Sequence, residues 1–81
     1  MYYVYFIKSQ KDNSVYVGFT ADIAKRVQQH QNGKVRSTKS KLPVDLVYYE
    51  AYVNKTTARK REIQLKKSWS VKEEILKRLN T

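Results

Sequence analysis

The stretch from Tyr2 to Lys8, YYVYFIK, is almost continuously apolar or aromatic and carries β-branched Val4 and Ile7. Alternation is lost, so it reads as a strand buried on both faces rather than one with a wet side. Ser9 to Ser14 is a polar turn in which Asp12 and Asn13 both tolerate turn conformations. Val15 to Phe19 is a second strand, so the two should pair as an antiparallel hairpin. Gly18 weakens a strand interior unless something must approach the backbone closely. Tyr5 and Tyr16 sit eleven positions apart in this hairpin. Strands favour tyrosine, so packing alone accounts for most of the seven tyrosines in the chain.

The rest of the chain sorts by caps and periodicity. Thr20 is placed to cap a helix, with Asp22 in its first turn complementing the dipole. That helix should run to about Gln31, where Asn32-Gly33 is a stop signal. Ile23, Val27 and His30 fall on its one apolar face, and Arg26 lies on the flank one turn before His30. Lys34 to Leu42 is a basic loop containing Ser37, Thr38 and Ser40, and Pro43 opens a third strand over Val44 to Tyr52. A second helix should start at Asn54 or Thr56 and reach about Ser68. Ser70-Val71-Lys72-Glu73 has the form of a capping box for a third helix with Val71, Ile75 and Leu79 on one face. The expected fold is α+β: a three-stranded, mainly antiparallel sheet flanked by three helices, in the order β-β-α-β-α-α. Residues 1–81 should make one domain.

Composition narrows the function. Seventeen Lys and Arg face seven Asp and Glu, a formal charge of +10. No acid falls between Asp22 and Asp45, while six Lys and Arg do. Such an excess favours a polyanionic partner, nucleic acid above all, through counterion release. A solubility charge, or a ribosome-associated or membrane-surface protein, would look the same in composition. With no cysteine and one histidine, disulfides and thiolate metal sites are excluded and a zinc site is disfavoured. No apolar run approaches the roughly 18 residues that span a bilayer. The start, MYYVYF, lacks the basic segment of a signal peptide, so the expected compartment is the cytoplasm.

Two residues resist a purely structural account. On the second helix Ala58, Leu65 and Trp69 share a face, which places Trp69 in the core. Glu62 lies in that same stripe, about 40° from Ala58. A carboxylate there is costly unless it is paired or binds a cation. A salt bridge to one of its basic neighbours, or a stripe edge that reaches solvent, also accounts for it. His30 sits on an apolar face, where a histidine is commonly a satisfied core residue. Arg26 and His30, four apart, can address one phosphate together.

Taken in order, these pieces resemble the GIY-YIG nuclease superfamily, and most closely its small stand-alone bacterial members, the UPF0213-like proteins. Tyr3-Val4-Tyr5 stands where the family has Gly-Ile-Tyr, and Tyr16-Val17-Gly18 where it has Tyr-Ile-Gly. Ala24 to His30 resembles the family's arginine-containing helix, and Arg61-Glu62 followed by Leu65-Lys66-Lys67 resembles the segment with its metal-binding glutamate. The resemblance implies a metal-dependent endonuclease that hydrolyses phosphodiesters, with DNA the favoured substrate, structured or single-stranded, and DNA repair the implied setting. It implies one divalent cation, Mg²⁺ or Mn²⁺, held by Glu62. Tyr5 and Tyr16 would be the active-site hydroxyls, Arg26 would stabilise charge on the phosphate, and His30 would assist proton transfer or position a tyrosine. Gly18 would let the backbone pass close to the site. A tyrosine needs help to act as a general base, and which of the two takes the proton stays open. One carboxylate suffices for Mg²⁺, which keeps most of its waters.

Tyr3 departs from the family's first glycine, and Asn80 is the only candidate at this end of the chain for the late asparagine of larger members. Lys34, Arg36, Lys39 and Lys41 in the loop, with Arg59 and Lys66 on the second helix, are expected to contact the nucleic-acid backbone. The expected state is a monomer without membrane contact. The alternative is a catalytically weak nucleic-acid-binding module of the same fold, or an adaptor docked on a larger repair protein.

Overall fold

The computed structural model describes residues 1–79; Asn80 falls outside them. Three strands form one antiparallel sheet in the order β2-β1-β3: β1 (Tyr2–Ser9), β2 (Val15–Thr20) and β3 (Val44–Tyr52). Helices α1 (Ile23–Gln31), α2 (Lys55–Lys67) and α3 (Trp69–Leu79) complete the α+β order β-β-α-β-α-α. Among the described residues no helix is long and apolar enough to cross a membrane.

The apolar β1 segment is the central strand, and its loss of alternation has a direct cause. Val4 and Phe6 pack on one face against Ala58 and Leu65 of α2 and Ile75 of α3. Tyr5 and Ile7 pack on the other with Val44, Leu42 and the Ile23 and Val27 side chains of α1. Helices thus cover both faces of β1, and each of its buried aliphatic or aromatic side chains contributes about 1.5–3 kcal/mol by leaving water. An irregularity in the β1–β3 register sets Ile7 opposite Leu46 but Phe6 opposite Tyr48. The extra residue, Val47, joins Tyr48 on the α2–α3 side while Leu46 stays with α1.

Local signals set most element ends. Asn13 takes a positive φ of 62°, and Asp12 accepts from the Ser14 amide at 3.1 Å, closing the hairpin. Gly33, at φ +73°, follows the Asn32 cap of α1. Asn54 caps α2 by accepting from the Thr57 amide. The start of α1 differs from expectation: Asp22, not Thr20, is the cap, accepting from the Lys25 amide at 3.1 Å. Thr20 instead accepts from the Asp22 amide at 3.1 Å, a turn that delays helix entry by two residues.

The α2–α3 junction corrects two further expectations. Ser68 takes a non-helical conformation and ends α2. Its carbonyl accepts from the Lys72 amide, so α3 opens at Trp69 and Ser70 is already inside the helix rather than its cap. The break resets helical phase. Trp69 therefore leaves the Ala58–Leu65 stripe, and it is 67% exposed rather than part of the core.

Across β3 and α2, Glu50 is gripped by Arg61, whose Nε and Nη2 donate at 2.8 and 2.9 Å. The Tyr48 and Tyr52 hydroxyls also donate to the Glu50 carboxylate. Burial alone would raise the Glu50 pKa, but Arg61 and the two tyrosines outweigh it and hold the pKa at about 2.

Candidate active site

Strand β2 is an edge strand, and a cleft of about 470 Å³ runs along its open side. Five consecutive β2 residues, Val15 to Phe19, line it. Because their side chains alternate between sheet faces, α1 can supply Arg26 and His30 to the cleft while α2 supplies Glu62 and Lys66.

Tyr5 reaches this cleft from the central strand by passing over Gly18, its partner in the β1–β2 register. A Cβ on Gly18 would lie 2.3 Å from both Cζ and the hydroxyl oxygen of Tyr5. Gly18 is thus needed for space, and what it admits is the Tyr5 ring. Beyond it, the Tyr5 hydroxyl lies 3.0 Å from His30 Nε2 and accepts from Arg26 Nε at 3.3 Å. The His30 ring stands edge-on to the Tyr5 ring, at 73° between planes.

His30 is buried, and burial followed by the Arg26 charge lowers its pKa, keeping the ring neutral at pH 7. Its Nδ1 lies 2.7 Å from Oγ1 of Thr38, which is fully buried. Thr38 Oγ1 has no other hydrogen-bond partner among the described residues. It thus orients the imidazole, whose Nε2 faces the Tyr5 hydroxyl. The Tyr5 hydroxyl therefore lies between His30 Nε2 and the Arg26 Nε–H. Arg26 also donates through Nη1 to Gln29 at 3.2 Å.

Glu62 enters from α2, its side chain 9% exposed. Oε1 pairs with Arg59 at 3.1 Å and Oε2 with Lys66 at 3.0 Å. The Arg59 guanidinium rests on the Phe19 ring, 4.6 Å from its centroid. Among the described residues no three His, Asp or Glu side chains gather in one place. A cation here would rely on one carboxylate, water and substrate phosphate, the manner in which Mg²⁺ is commonly bound. The donor set fits that use: Arg59 and Lys66 are 56% and 54% exposed and can swing aside from the carboxylate.

Of the residues singled out in the sequence, Tyr5, Tyr16, Gly18, Arg26, His30, Glu62 and Lys66 all line the cleft. The Tyr16 hydroxyl makes no hydrogen bond to another described residue. Arg59 touches the cleft through Glu62 and Phe19. Lys34, Arg36 and Lys39 are exposed and do not line it; their neighbours Val35 and Ser37 do. Lys41 is paired with Asp12, and that bond holds the Asp12 carboxyl well below the usual carboxylate range. Thr38 and Lys72 carry no local signal of their roles. Thr38 follows His30 by eight residues through an irregular loop, and Lys72 meets the cleft only through α3 packing, donating to the Val15 carbonyl at 3.2 Å.

A β-hairpin that delivers tyrosines to a cleft completed by an arginine helix and a glutamate helix defines a nuclease-type catalytic domain. The sequence model of the GIY-YIG catalytic domain matches residues 1–74, and the chain belongs to that family. Its relatives include the UPF0213 protein SSP2268 of Staphylococcus saprophyticus, 44% identical over 66 residues, which cover 80% of this chain and 79% of the relative. The UPF0213 protein CPE1444 of Clostridium perfringens is 44% identical over 68 residues, 83% of this chain and 72% of the relative. The solution structure of the UPF0213 protein BH0048 from Bacillus halodurans superposes with a TM-score of 0.60 at 32% identity, covering 95% of this chain and 84% of that one.

Proposed function

We propose that this domain is an endonuclease that hydrolyses nucleic-acid phosphodiesters, DNA in preference, with one Mg²⁺ or Mn²⁺ held by Glu62. One observation carries this reading: Tyr5, Arg26, His30 and Glu62 line a single cleft in a chain of charge +10. When bound, the cation supplies Lewis-acid neutralisation of the phosphate and of the leaving oxygen.

The chain's own residues supply the rest. The Tyr5 hydroxyl passes its own proton to His30 Nε2 as its oxygen takes the proton of the attacking water, and Arg26 Nε–H stabilises the negative charge that develops on the way. Tyr5 suits this role better than Tyr16, because its hydroxyl already contacts a neutral imidazole nitrogen and a guanidinium N–H. Tyr16, with its hydroxyl unengaged, is free to bond a phosphate oxygen. Arg26 spends Nε and Nη1 within the protein and presents Nη2 to the phosphate. Lys66 and Lys72 on the cleft wall attract the backbone.

The test is cleavage of supercoiled plasmid and branched DNA with Mg²⁺ or Mn²⁺. Wild type should cut, while chelation or Glu62→Ala should abolish cutting; equal cutting by both proteins would overturn the role of Glu62. A second reading has one observation in its favour: both Glu62 oxygens are held by Arg59 and Lys66, which compete with a cation. On that reading the domain binds nucleic acid without cutting it, and Glu62→Ala leaves binding unchanged.

A further inference from the structure

Trp69 is the single tryptophan of the chain, and it belongs to neither core cluster. The break at Ser68 turns it outward to 67% exposure at the head of α3. A lone exposed apolar side chain is ordinary. What sets this one apart is its neighbour. Lys72 Nζ stands over the indole, 5.5 Å from the ring centroid, and the same Nζ donates to the Val15 carbonyl on the cleft wall. The ring is thus held beside the cleft by a cation that borders both.

We infer that Trp69 is a stacking platform for an unpaired base of a single-stranded nucleic acid whose backbone runs into the cleft. Lys72 and Lys66 supply the phosphate contacts on that path. An exposed aromatic face next to a cationic groove is the arrangement that binds single strands without regard to sequence, since every base offers a π-face. An intact duplex keeps its bases stacked on one another and cannot use the ring. The inference rests on the nuclease reading and adds a substrate class to it: strands with unpaired bases next to the cut phosphate, as in flaps, gaps or single-stranded DNA.

Trp69 reports on its own occupancy. With chelator present to prevent cleavage, oligo-dT should quench tryptophan fluorescence saturably, and a blunt duplex of equal length should leave it almost unchanged. By anisotropy of a labelled oligo-dT, Trp69→Ala should bind about tenfold more weakly and Trp69→Phe should recover most of the loss. Duplex affinity and thermal stability should stay at the wild-type level in both variants. Equal quenching by duplex and single strand, or undiminished oligo-dT binding by Trp69→Ala, would overturn the inference alone. A change of oligomeric state in Trp69→Ala without an effect on oligo-dT would make the ring a protein contact instead. If the wild type binds neither form, the nuclease reading falls and takes this one with it.

Discussion

Replacing Gly18 by alanine tests the site without any assumption about activity. The added Cβ would lie 2.3 Å from Cζ and the hydroxyl oxygen of Tyr5, whereas ordinary contact begins near 3.4 Å. Ring and strand must therefore separate by about 1.1 Å. The backbone at Gly18 has no left-handed φ, so alanine meets crowding and not torsional strain. The Tyr5 ring tip cannot yield cheaply, because it is buried and tied to His30 at 3.0 Å and Arg26 at 3.3 Å. Overpacking of this kind costs about 1–3 kcal/mol, and a broken buried hydrogen bond adds about 1 kcal/mol. Gly18→Ala should thus lose about 2–4 kcal/mol in urea unfolding, summing those two terms. The decisive measurement is the double-mutant cycle with Tyr5→Ala. Without the ring, alanine at 18 should be neutral or slightly stabilising, since glycine is a poor strand residue. The coupling should be about 2 kcal/mol or more, well above the few tenths by which independent sites deviate from additivity. Additive costs would refute the close approach of Tyr5 to Gly18. In the cleavage assay a shift of about 1 Å in the Tyr5 oxygen should lower the rate about 100-fold.

Two further outcomes probe the groups behind the cleft. The chain's single histidine should be neutral at pH 7 by nitrogen NMR, and Thr38→Val, which removes the partner of its Nδ1, should slow cleavage about tenfold while oligonucleotide binding holds; an imidazolium at pH 7 would overturn its part as proton acceptor from Tyr5. Glu50 has a folded-state pKa lowered from 4.5 to about 2, so its contribution is present above pH 4.5 and is lost as pH falls toward 2. Glu50→Gln should therefore be about 2–3 kcal/mol less stable at neutral pH, with the difference closing in acid; a constant difference across that range would assign the loss to packing instead.

What the sequence determined by itself is local in its physics. Lost alternation marks β1 as buried on both faces, Asn32-Gly33 marks the end of α1, and Asn54 and Thr56 both offer a start for α2, of which Asn54 is the cap. Periodicity alone set Glu62 on the buried side of α2, and the resemblance carried by short motifs named the family. These signals act within one or two turns or along one strand, so a linear reading reaches them. Trp69 shows the limit: Ser68 breaks the helix, phase is lost, and an extrapolated stripe points the wrong way. Tertiary structure decided the pairings between distant residues. Strand register set Tyr5 over Gly18, the packing of α1 and its following loop brought Thr38 to His30, and the hairpin turn engaged Lys41 through Asp12. Each of these depends on where whole elements dock, and docking is chosen by the burial of both faces of β1 rather than by any residue of the pair.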